Sequence, residues 1–111
     1  MTKATFNFNG DSFLGFEISG HSGYKESGSD IVCSSITTAV FSTINLLDKM
    51  YPEHYQLFQD EKKGLIKCTI NYDFIASERT TFLAVIIQNL IDVLTNIELE
   101  YPKNLKVIIS K

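Results

Sequence analysis

The chain of 111 residues has only two cysteines, too few for a disulfide framework. It has no Lys/Arg-rich run, and its net charge of −3 argues against direct nucleic-acid binding. That charge leaves a basic protein partner open. The longest apolar run, Phe82 to Ile87, falls far short of the about 18 residues that a membrane-spanning run needs. The opening Met1-Thr2-Lys3-Ala4-Thr5-Phe6 lacks the apolar stretch of a signal peptide. These absences predict a single cytoplasmic domain, 1–111, with no membrane contact and with thiols rather than a disulfide. His21, Cys33, His54 and Cys68 lack the close pairs of zinc sites, so neither a metal nor a cofactor is expected. There is no Gly-x-Ser-x-Gly elbow for a serine nucleophile. The glycines Gly10 and Gly15 are not followed by the Lys-Ser/Thr of a phosphate loop. No linker or low-complexity tract divides the chain.

What is present reads as strands and helices in alternation. Hydrophobic residues make up 44% of the chain, which suits a globular domain with a small core. Ala4, Phe6 and Phe8 alternate with Thr5 and Asn7, the period of a strand. Asn9-Gly10 signals a hairpin. The next strand is expected to turn Leu14, Phe16 and Ile18 to one face and Phe13 and Gly15 to the other. Val32, Ile36, Val40, Ile44 and Leu47 form one stripe of a helix, capped by Ser29 or Asp30 and stopped by Pro52. That helix is rich in Ser, Thr, Val and Ile, so packing must hold it. Strands follow at Tyr55 to Gln59 and Leu65 to Tyr72, joined by a turn at Lys63-Gly64. Ser77 or Thr80 caps a second helix with Phe82, Val85, Ile86, Leu90, Val93, Leu94 and Ile97 as its apolar positions. Leu105 to Ile109 is a last strand. The order is ββαββαβ: an α+β domain whose one sheet, mostly antiparallel or mixed, is packed by two helices. Tyr-Pro follows both helices, at Tyr51-Pro52 and Tyr101-Pro102. Two ordinary proline stops explain this as well as a duplication does.

The chemistry concentrates between Gly20 and Cys33. If Asp30 is the cap, Cys33 stands at the third helical position, near unpaired N–H groups and the positive end of the dipole. Such a position favours a thiolate, and the same N–H groups can face an oxyanion. His21 sits just past the end of the second strand, where a folded-back loop can bring its imidazole to Cys33 as a general base and acid. The intervening segment has three glycines and no periodicity, which fits a lid that orders around an extended peptide. Ser34 and Ser35 could point into the same site. Cys68 lies on a strand face with Ile66 and Ile70 and reads as core; His54 reads as a surface residue. Three readings of Cys33 remain open on the residues alone. It is a nucleophile, a small apolar residue in a peptide-binding module that does not cut, or a redox thiol resolved by Cys68.

The joined segment, Gly20-His21-Ser22-Gly23-Tyr24, then Gly28, then Asp30-Ile31-Val32-Cys33-Ser34-Ser35-Ile36-Thr37, resembles the signature of the ribosomal-processing cysteine protease family, Prp. The length, the element order and the Tyr-Pro before the last strand also resemble that family. The resemblance implies a cysteine endopeptidase with a Cys33/His21 dyad. Its substrate would be a ribosomal protein precursor, the extended N-terminus of protein twenty-seven of the large subunit. Gly20, Asp30 and Thr37 would support the site, Thr37 standing where family members often have serine. Ser22, Gly23, Tyr24 and Gly28 would form the substrate loop. The family implies a homodimer, for which an uncovered sheet face is a candidate interface.

Overall fold

The computed structural model describes residues 1–20, 29–72 and 79–111, without the side chains of Ser29 and Asp30. The strands and helices are β1 (Thr2–Asn9), β2 (Ser12–Ser19), α1 (Ser29–Met50), β3 (Tyr55–Asp60), β4 (Leu65–Ile70), α2 (Thr80–Glu100) and β5 (Leu105–Ser110). The ββαββαβ order is the expected one. The strands form one sheet in the order β3-β4-β2-β1-β5. All neighbours are antiparallel except β1 and β5, so the sheet is mixed. β2 and β3 are both antiparallel to β4 and hence parallel to each other, and α1 carries the chain between them. By the same reckoning β4 and β5 run parallel, with α2 as their crossover.

Both helices bury into one core with Ala4, Phe6, Phe13, Phe16, Ile18 and Cys68, so they cover one face of the sheet. The stripe Val32, Ile36, Val40, Ile44 and Leu47 is buried throughout. Each such side chain contributes roughly 1.5–3 kcal/mol, enough to offset the poor propensity of a Ser/Thr/Ile-rich helix. The opposite sheet face carries Lys3, Thr5, Glu17, Lys67 and Lys106, with Glu17 in register beside both Thr5 and Lys67.

Two local expectations are corrected. The β1–β2 register slips between Asn7, paired with Gly15, and Phe8, paired with Phe13. Leu14 is therefore the extra residue of a bulge and lies exposed, while Phe13 turns into the core. Phe13 there meets the ring of Phe8 edge-on with centroids 5.6 Å apart. The two-residue turn is Gly10-Asp11, with Gly10 at φ 61°, one position later than Asn9-Gly10. In α2 the buried residues are Leu83, Ile87, Leu90 and Leu94. Phe82 and Val85, expected inside, are 56% and 64% exposed. Alternation and helical spacing admit neighbouring stripes in so apolar a helix, and only the sheet decides between them. Ser77 lies outside the described residues. Thr80 is the first helical residue, after an N-cap at Arg79 whose side chain makes no capping bond.

By length and mean hydropathy, Ile31–Met50 and Thr80–Glu100 both qualify as candidate membrane spans, which run length did not anticipate. Each of these helices turns a buried stripe onto the sheet.

Both helices leave through a tyrosine with the same pair of hydrogen bonds, although Glu53 adopts φ 69° in the first turn and Lys103, its counterpart, has no positive φ. Tyr51 N–H donates to the Leu47 carbonyl at 2.7 Å, and Tyr101 N–H to that of Ile97 at 2.8 Å. The N–H three residues after each tyrosine then donates to the tyrosine carbonyl, at 3.1 Å from His54 and 3.0 Å from Asn104. A strand begins one residue later in each case. His54, expected at the surface, is half-buried in this turn. Tyr51 is fully buried, and its hydroxyl donates to the Arg79 carbonyl. The Arg79 guanidinium stacks 5.2 Å from the Tyr51 ring and donates to the Met50 carbonyl. The end of α1 is thereby clipped to the start of α2. Burial, first of all, raises the Tyr51 phenol above its usual range.

Gly15 shows how closely β2 and β4 approach. A Cβ at this position would stand 2.4 Å from the Cys68 carbonyl oxygen, a backbone atom held by the sheet. Gly15→Ala should therefore lower unfolding stability by about 1–3 kcal/mol in urea titration. A variant as stable as the parent would show that the strands separate without cost.

Candidate active site

Strand β2 delivers the chain to Gly20, and α1 returns it at Ser29. Gly20 adopts φ 87°, a conformation glycine tolerates best. A Cβ there would meet the Met1 carbonyl oxygen at 2.7 Å. The Gly20 N–H donates to the Gly64 carbonyl at 3.0 Å, tying this corner to the β3–β4 turn. His21, Ser22, Gly23, Tyr24 and Gly28 lie outside the described residues, and so does the position that caps α1.

The helix starts at Ser29, earlier than a cap at Asp30 would place it. Asp30 is the second helical residue and Cys33 the fifth. Cys33 thus stands one turn into the helix, and the N–H groups without intrahelical partners belong to residues before it. Its neighbour Val32 is fully buried and Cys33 itself is exposed, because successive helical residues point about a quarter-turn apart.

Cys33 opens onto a cavity of about 300 Å³. Gly20, Cys33 and Thr37 line it together, so three of the residues singled out in the sequence share one site. Thr37 sits one helical turn beyond Cys33 on the same side. The floor is apolar, from Ile18, Ile36, Phe41 and Ile66. The far wall is Gln59, Asp60 and Glu61, from the end of β3 and the turn after it. Sequence reasoning missed this wall. The only signal for it was the Lys63-Gly64 turn, which folds β3 and β4 back beside β2.

Ser34 and Ser35 do not join them. They line a separate groove between α1 and α2, with Thr38, Ser42 and Val93. The Ser35 hydroxyl donates to the Ile31 carbonyl at 2.8 Å, one turn back along its own helix. Cys68 is fully buried, and burial pushes its thiol up to about 11. A thiol so placed is a poor resolving partner, which weighs against the redox reading of Cys33.

A mixed ββαββαβ sheet with an exposed cysteine early in its first helix, beside a cavity, describes a class of small α+β cysteine proteases. The essential ribosomal processing protease Prp from S. aureus, solved with a substrate peptide, superposes with a TM-score of 0.82 at 20% identity, covering 99% of this chain and 100% of that one. SMU.848 from Streptococcus mutans superposes with a TM-score of 0.81 at 24% identity, over 99% and 94% of the two chains. At these identities the likeness concerns the fold. In sequence, the family described as cysteine protease Prp matches residues 1–106. The ribosomal processing cysteine protease Prp of Bacillus subtilis (strain 168) is 30% identical over 110 residues, 96% of each chain. The chain belongs to the Prp family of cysteine proteases, hydrolases of ribosomal protein processing.

The two thiols should separate cleanly by reactivity. Iodoacetamide at neutral pH should label Cys33 in the folded protein and reach Cys68 only after denaturation, read by peptide mass spectrometry. Equal labelling rates in the folded state would contradict the burial of Cys68.

Proposed function

We propose that this protein is an endopeptidase with a Cys33/His21 dyad that removes the N-terminal extension of ribosomal protein twenty-seven of the large subunit, in the cytoplasm. One observation carries the reading: exposed Cys33 and Gly20, the residue bonded directly to His21, line the same cavity. A peptide carbonyl entering that cavity meets the Cys33 sulfur. The sulfur–carbon bond forms, and the carbonyl oxygen takes up negative charge. N–H groups of the first turn of α1 face that charge. The carbon–nitrogen bond then breaks, and His21 gives the departing amine the proton it took from the thiol. Water, deprotonated by His21, attacks the thioester, releasing the carboxylate and restoring the thiol. Asp30 supports the loop's return to the helix, and Thr37 offers a hydroxyl one turn below the sulfur. Ser22, Gly23, Tyr24 and Gly28 form the loop facing the substrate.

Mass spectrometry of a peptide spanning the extension tests this. The parent protein should cut once, at the junction with the mature protein. Cys33→Ala should lower kcat/KM by about a thousandfold or more, and His21→Ala by about a hundredfold or more. Since Cys33 is exposed, Cys33→Ala should unfold at the parent's temperature. Full activity in Cys33→Ala overturns the dyad. Binding without cleavage by the parent protein would make it a peptide-binding module.

The same reading includes a homodimer. The uncovered sheet face mixes charged Lys3, Glu17, Lys67 and Lys106 with single apolar residues, Phe58, Leu65 and Ile108. Exposed apolar residues gather instead on α2, where Phe82, Val85 and Val93 recur at helical spacing. A second copy packed against this stripe would bury them. Val85→Glu should then halve the mass seen by light scattering while leaving the unfolding temperature in place. An unchanged mass would remove α2 from the interface.

A further inference from the structure

Strand β3 is an edge of the sheet, and among the described residues nothing pairs with its outer side. An edge strand presents a row of N–H and C=O groups ready for another chain. Proteins usually blunt such edges with proline, lysine or a bulge. The β3 sequence, Tyr-Gln-Leu-Phe-Gln-Asp, has neither proline nor lysine, and its pairing with β4 runs without a register shift. At its centre Leu57 and Phe58 are 38% and 55% exposed, on opposite faces of the strand. The strand is also braced from behind. The Tyr55 hydroxyl donates to Asp48 of α1 at 2.8 Å, fixing the start of β3 against the helix that carries Cys33. The other end runs directly into the cleavage site, where Gln59 and Asp60, with Glu61 beyond them, wall the cavity onto which Cys33 opens.

We propose that an extended segment of the substrate pairs with the outer edge of β3 as a sixth strand and passes at Asp60 into the Cys33 cavity. The main chain of β3 would supply the hydrogen bonds that hold the peptide. Leu57 and Phe58 would favour apolar side chains at the centre of the bound segment, one on each face. Asp60 and Glu61 would favour a basic or neutral residue where the peptide leaves the strand. The substrate class is therefore an extended, apolar-centred peptide beside its cut site, rather than any chain with the right residues at the scissile bond. This rests on Cys33 as the nucleophile, but the docking edge can be tested without cleavage.

The test uses full-length Cys33→Ala protein and the peptide spanning the ribosomal protein extension, with hydrogen exchange read by NMR. Alternate amides of residues 55–60 should exchange about tenfold slower or less when the peptide is bound. N-methylation of alternate peptide amides should weaken binding by about tenfold, and methylation of the intervening amides should not. Peptide binding that leaves 55–60 unprotected overturns the proposal, and so does the absence of binding. Protection of 55–60 that needs no peptide and grows with protein concentration also overturns it, since a second copy then occupies the edge. If β3 is protected by the peptide but the parent protein does not cut it, the docking edge stands and the protease reading falls.

Discussion

The burial of Val32 and Ile36 against the sheet is the constraint on which the site depends. Helix α1 is built from Ser, Thr, Ile and Val, residues that do not favour an isolated helix. It exists because one stripe is driven into the core. Cys33 follows Val32 directly, so the depth of Val32 sets how far the thiol stands from the sheet. Ile36 then does two jobs, closing the core and paving the floor of the cavity. Stability and reactivity meet in the same two side chains, and a repacking of either would displace the sulfur.

Much of the local structure was legible. Period-two runs marked β1 and β4, and the helical stripe of α1 was correct at every position. Cys68 as core followed from its strand neighbours. What the sequence hid was long-range. The exposure of Leu14 depends on a slip against Asn7 and Phe8 in another strand, which no pattern within β2 announces. In α2 the apolar residues cover more than one face, so spacing alone could not separate Leu83 and Ile87 from Phe82 and Val85. At the site, Cys33, Gly20 and Thr37 were readable because the chain brings them together locally or through a motif. Gln59, Asp60 and Glu61 were not, since the crossover of α1 and the pairing of β4 with β2 place them there.

The two helix exits share hydrogen bonds but not backbone conformation. Tyr51 and Tyr101 close their helices with equivalent bonds, and each releases the chain into a strand four residues on. The environments then diverge. Tyr51 is sealed in the core beneath Arg79, whereas Tyr101 remains half-buried. The tyrosine bonds are thus shared, whereas the backbone after them is not, since Glu53 takes a positive φ and Lys103 does not; the clip by Arg79 belongs to the first exit.

The two ends of the chain sit differently with respect to the chemistry. Thr2 lines the Cys33 cavity, and the Met1 carbonyl crowds Gly20. Lys111 lies with the hairpin tip, its ammonium 5.7 Å from the Phe8 ring. A purification handle ahead of Met1 would begin next to Thr2 and Gly20, two residues that line the cavity. One placed after Lys111 would emerge beside the hairpin tip, away from the thiol. An N-terminal fusion therefore adds chain beside Cys33, and a C-terminal one does not.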